Sequence, residues 1–143
     1  MTRARLTILL LVAVATGSVM TAAASAKPVY YMYRLAPVEA SGVRGLATLT
    51  RSPSTGALWV SVAVRGAKVG AILDARISRG TCLRPGALRW KLREMNVNDV
   101  GQAHGYTRIR RVPAFGRTGP VGLNVAVLDA AGRRVSCATI PAR

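Results

Sequence analysis

The chain has 143 residues, with 21 Lys and Arg against 5 Asp and Glu, a formal charge of +16. That length excludes several independent domains, and five carboxylates with one histidine leave little material for acid–base or metal chemistry. Charge of this size favours anionic surfaces, polysaccharide or nucleic acid as partners and carries no information about fold.

Met1–Ala26 reads as a secretory signal peptide. Arg3 and Arg5 form the positive head, Leu6 to Ala15 is an uncharged apolar run, and Ala24-Ser25-Ala26 is a small-x-small cleavage site. Cleavage after Ala24 competes with cleavage after Ala26. The apolar run is shorter than the roughly 20 residues of a membrane-spanning helix, so no transmembrane span is expected. An uncleaved anchor is the competing reading, disfavoured because the chain turns polar and β-like directly after Ala26. Residues 27–143 are then one domain of 117 residues, with 19 basic side chains against 5 acids and a formal charge of +14. The expected location is exported, periplasmic or extracellular. In such a compartment Cys82 and Cys137 read as one disulfide. Their spacing is too wide for a redox CxxC pair, and two thiols alone make a poor zinc site.

Beyond the signal the hydrophobic period is two, and no helical stripe of any length occurs. Strands are expected at Val29–Leu35, Val43–Arg51, Ala57–Arg65, Ala71–Ser78, Leu88–Met95, Gly105–Val112, Val121–Asp129 and Val135–Ile140. Leu58, Val60, Val62 and Val64 share one face of the third. Ser52-Pro53-Ser54-Thr55-Gly56, Gly66 to Gly70, Cys82 to Gly86 and Asp129-Ala130-Ala131-Gly132 supply the turns. Eight short strands broken by Gly and Pro imply an all-β, eight-stranded antiparallel sandwich or barrel.

The electrostatic signal lies on two of these strands. Arg89, Lys91 and Arg93 alternate with Leu88, Trp90 and Leu92, so one face is cationic and the other apolar. Tyr106, Arg108 and Arg110 form a second row, with Ile109 turned toward the core. If the two strands share a sheet face, they form an anion-binding surface for phosphate, sulfate or uronate groups. A solvated face of a very basic protein is the bland alternative. Arginine suits bidentate contact with such anions. No nucleic-acid recognition module is present, so specific nucleic-acid binding is not expected.

The order of the pieces resembles the copper/zinc superoxide dismutase fold and its secreted relatives, the chordin-type CHRD domains. The pair Ser41–Leu49 and Gly56–Val62 resembles that family's opening hairpin. Arg76-Ile77-Ser78-Arg79-Gly80-Thr81-Cys82 resembles its H-I-H-x-G-x-C ligand segment, and Asp99–Gly105 a turn before a late strand. Asn124–Asp129 and Val135–Ile140 resemble its closing hairpin. The resemblance implies a Greek-key sandwich and a disulfide between Cys82 and Cys137. It also implies metal ligands that this chain lacks. Arg76 and Ser78 stand at the paired histidines, the late histidine falls at or near Leu128, and only Leu83 to Ala87 follow Cys82 where a zinc-binding insertion belongs. Redox copper needs converging imidazoles, and His104 is the lone histidine, read here as a loop residue beside a turn. Arg76 is expected to fill the vacated space by pairing with Asp74 or Asp129. A serine triad has no base but His104. The expectation is therefore a non-enzymatic module without cofactor, catalytic or metal residues. It binds anionic envelope or extracellular ligands such as polysaccharide or lipid headgroups, or serves a structural role. A metal-dependent superoxide dismutase-like enzyme is the alternative.

Overall fold

The computed structural model describes residues 27–110, 112 and 122–141. The signal-peptide assignment and the Val121 boundary of the seventh predicted strand lie outside them. Among the described residues nine strands form: β1 Val29–Pro37, β2 Arg44–Arg51, β3 Leu58–Arg65, β4 Ile72–Gly80, β5 Pro85–Lys91, β6 Met95–Asn96, β7 Gln102–Ile109, β8 Leu123–Leu128 and β9 Arg134–Ile140. Eight of them make one curled antiparallel sheet in the order β5-β4-β8-β9-β1-β2-β3-β7, and the short β6 pairs β4 off that path. The all-β, eight-stranded antiparallel expectation holds.

Alternation drives the curl. Ala47 and Leu49 of β2, Leu58, Val60, Val62 and Val64 of β3, and Leu73, Ala75 and Ile77 of β4 all point into one core. Leu123, Val125 and Val127 of β8 and Ala138 and Ile140 of β9 close it from the other half. Each Leu, Ile or Val buried there contributes about 1.5–3 kcal/mol. β1 is the corner. Val29 to Leu35 pair with β2, while Ala36 and Pro37 pair with Cys137 and Ser136 of β9.

Two predicted strands are corrected by pairing. The predicted strand Leu88–Met95 divides in two. Ile77 faces Trp90 while its neighbour Ser78 faces Leu88, so Arg89 is an extra residue in a bulge. The chain then leaves the ladder at Leu92 and returns as β6 opposite Ile72 and Leu73. Pro85 and Gly86, expected in a loop, belong to β5, an edge strand in which proline's missing N–H has no partner to lose. β7 begins at Gln102 rather than Gly105, because all eight residues of β3 find partners from Gln102 to Ile109.

The ends of the sheet meet at a seam without a ladder. The Arg93 amide donates to Thr107 Oγ1 at 2.9 Å across it, and the Asn98 amide donates to the Gln102 carbonyl at 2.8 Å within the turn that joins β6 to β7. Gly105 makes that approach possible, since a Cβ there would lie 2.7 Å from Met95 Cγ. At Gly45 the backbones of β2 and β3 come closer still: a Cβ would lie 2.0 Å from the Ala63 carbonyl oxygen.

β8 is buried on both faces. Its outer residues Ala126 and Leu128 form a second apolar cluster with Cys137, against which Val38 and Cys82 pack. The loop after β4 covers them, held by the Cys82–Cys137 disulfide across a separation of 55 residues. Further ties come from Thr139 Oγ1, which accepts from the Cys82 amide at 3.0 Å, and from the Arg134 guanidinium, which donates to the Cys82 carbonyl. Buried Asn124 donates to the Arg79 carbonyl at 3.0 Å, fixing the chain where it leaves β4.

The chain-entropy argument gives this cross-link about 4 kcal/mol. Reduction is therefore expected to lower the melting temperature by roughly 10 °C or more in calorimetry; an unchanged midpoint contradicts this. Gly45→Ala is expected to cost at least about 2 kcal/mol in denaturant unfolding, because backbone rather than a flexible side chain must yield.

Candidate functional site

The two halves of the sheet present different outer faces. On the β4/β8 side the positions set against metal ligands carry no donor set for copper. Arg76 Nη2 contacts Asp74 Oδ2 at 2.9 Å, as a charge-assisted hydrogen bond. Arg76 lies opposite Ala126, Asp74 opposite Leu128 and Ser78 opposite Asn124. A cation, a buried hydroxyl and a buried leucine offer a transition ion no imidazole and no pair of anions. Among the described residues no three His, Cys, Asp or Glu side chains converge. Of the two acids offered for Arg76, Asp74 is the partner. Asp129 serves the β8–β9 hairpin, accepting from the Arg133 and Ala131 amides and the Arg133 side chain. The Arg133 amide, reinforced by its guanidinium, holds the Asp129 carboxyl below its ordinary range.

The predicted cationic row on β5 is interrupted. The bulge at Arg89 breaks the alternation, leaving Leu88 54 % exposed while Leu92 is buried. Arg89 lies over the Trp90 ring at 5.4 Å, Lys91 is 3.6 Å from Glu94, and the Arg93 amide engages Thr107 at the seam. β5 and β7 stand at opposite ends of the strand order, so these cations and the Tyr106 row share no ladder.

The second row fits into a larger surface. Tyr106 and Arg108 stand outward on β7, and Arg110 lies exposed just past its end. Trp59 is directly opposite Arg108 and diagonal to Tyr106. The Trp59 and Tyr106 rings stack with centroids 5.4 Å apart at 20°, and the Arg108 guanidinium lies 4.7 Å from the Trp59 centroid. His104, expected in a loop, sits on β7 itself, and its Nε2 is 2.8 Å from Ser61 Oγ. This serine–histidine pair lies on an open sheet face, and no hydrogen bond to a carboxylate orients the imidazole among the described residues. It lacks the third member that a nucleophilic triad uses.

Beyond these residues the register reveals what sequence reasoning missed. The outward positions of β1, β2, β3 and β7 include Arg34, Arg44, Arg65 and Arg108 beside Tyr30, Met32 and Leu46. These four strands contain no Asp or Glu. The acids pair or sit elsewhere: Asp74 on β4, Glu94 after β5, Asp129 in the β8–β9 hairpin, and Glu39 and Asp99 between strands. The missed signal was the outward set of the first three strands, visible as Arg34, Arg44 and Arg65 only once the inward set is known. Among the described residues no helix is long and apolar enough to cross a membrane. No protein-family model matches the chain, and no curated protein matches it significantly.

Arg108 and Trp59 are expected to couple by about 0.5–1 kcal/mol in a double-mutant cycle of Arg108→Gln and Trp59→Leu, read by denaturant unfolding. Additive losses would show that the ring contact contributes nothing to stability.

Proposed function

We propose that this protein is an exported, non-enzymatic basic module that binds anionic polymers outside the cytosol. The observation that carries the reading is the open outer face of β1-β2-β3-β7, which bears four arginines and no carboxylate. Cations on a surface without acids keep their field, because no neighbouring anion screens them at short range. Arginine adds a planar fork suited to sulfate, carboxylate or phosphate. The Cys82–Cys137 bridge supports an oxidising compartment.

The likeness to superoxide dismutase and chordin-type domains belongs to the same proposal. It is supported by the order of the sequence motifs, by the curled antiparallel sheet and by a bridge from the segment after β4 to β9. In this reading the frame carries binding in place of metal chemistry, as a fold is free to do. Arg89, Lys91, Arg93 and Arg110 contribute long-range attraction, while Tyr106 and Arg108 belong to the contact face.

Retention on an immobilised sulfated polysaccharide tests this. Wild-type protein is expected to stay bound at salt well above about 0.15 M, where exposed charges separated by more than about 8 Å are largely screened. Arg34→Glu with Arg108→Glu is expected to release it near that concentration. Elution of wild type in the low-salt wash would contradict the proposal, as would stoichiometric copper with superoxide-consuming activity in the purified protein.

A further inference from the structure

Resting on that binding reading, we infer that an open groove between β1, β2, β3 and β7 is a dedicated subsite for an acidic polysaccharide, centred on Arg44 and Arg65. The groove measures about 960 Å³, and Arg34, Arg44, Arg65, Asn96, Gln102 and His104 supply its polar wall. Among the described residues no carboxylate lines it.

The central observation is a pair of like charges. Arg44 and Arg65 are direct cross-strand partners in the β2/β3 ladder, and both are exposed. Like charges placed opposite each other destabilise an antiparallel pair. Elsewhere the fold neutralises such a placement. Arg76 faces Lys91 across β4 and β5, but Asp74 takes Arg76 and Glu94 takes Lys91. At Arg44 and Arg65 no acid lies within ion-pair distance among the described residues. An external anion seated between the two guanidiniums relieves the repulsion and accepts charge-assisted hydrogen bonds from both.

The walls indicate the class of ligand. Arg34 provides a third cation one strand away, beside Leu46 in the β1/β2 register. Neighbouring strands are about 4.8 Å apart, so the three cations match repeated acid groups along a chain rather than one isolated ion. Asn96 and Gln102 bring side-chain amides that donate to and accept from hydroxyls, and Asn98, whose Oδ1 already accepts from the Val100 and Gln102 backbone amides, adds its Nδ2 donor. Ala63, the small outward residue next to Arg65 on β3, keeps the floor low beside the arginines. Sulfate or uronate groups supply the charge and sugar hydroxyls the amide partners. A second copy of this chain does not fit, since the same acid-free face on a strongly cationic protein offers no complement.

The experiment compares two double variants of equal charge change, Arg44→Gln with Arg65→Gln, and Arg89→Gln with Lys91→Gln. Each is titrated calorimetrically with a sulfated, uronic-acid-containing octasaccharide at about 0.15 M salt. The first pair is expected to weaken binding at least about tenfold and the second less than about threefold, because only the first removes the paired guanidiniums. Without ligand, the first variant is expected to melt at or above the wild-type temperature, since it removes a repulsion. Equal losses in the two variants overturn the subsite and leave the general binding reading standing. No octasaccharide binding by wild type, with retention on the polysaccharide column intact, also overturns the subsite. Tighter binding of anionic phospholipid vesicles or of a single-stranded oligonucleotide than of the octasaccharide overturns the assignment to polysaccharide. A melting temperature well below wild type overturns the repulsion argument; Arg65→Gln alone then repeats the titration, and unchanged affinity in that variant rejects the subsite.

Discussion

The fold depends on covering β8. A strand in a curled sheet ordinarily buries one face and wets the other, yet every residue of β8 is buried. Its inner face enters the main core. Its outer face needs a lid, and the segment after β4 supplies it through the Cys82–Cys137 bridge, the Thr139 hydroxyl and Arg134. The bridge thus does more than shorten the unfolded chain. It holds an irregular segment over Ala126 and Leu128, which would otherwise expose apolar surface beside an ion pair.

That closure divides the molecule into two unlike surfaces. The β4-β8-β9 side is occupied by its own chain: a cross-linked loop, a small apolar cluster and the Arg76–Asp74 pair. Among the described residues the β1-β2-β3-β7 side has no such cover. It carries outward aromatic, aliphatic and arginine side chains, with Tyr30 66 % and Met32 70 % exposed. Contiguous exposed apolar groups among cations are the surface from which a binding function is argued. The scarcity of acids becomes meaningful through their placement. Three of the five acids each neutralise one basic side chain on the other strands and hairpins, so the open face keeps its whole charge.

The same placement explains which predicted site residues changed meaning. Arg89, Lys91 and Arg93 look like a regular cationic row because strict alternation is a local rule. A one-residue bulge against β4 breaks that rule, and no local pattern announces it. Tyr106 and Arg108 keep their outward direction because β7 pairs with β3 residue for residue. His104 moves from turn to strand for the same reason: β3 is long enough to extend β7 by three residues toward its start. The Trp59 contact with Tyr106 and Arg108 joins residues nearly 50 positions apart, beyond the reach of any short-range reading.

Sequence alone determined the all-β class, the inward sets such as Leu58, Val60, Val62 and Val64, the Asp129–Gly132 hairpin and the cysteine pair. Each rests on short-range chemistry: a period of two, turn residues at fixed offsets, or two thiols without other partners. Tertiary structure decided which strands became edges, where Arg89 bulged, and that Arg44 met Arg65 while Arg34 stood one strand away. Those outcomes depend on register between distant segments. Register is chosen by the collective burial of a shared core, a quantity that no single strand contains.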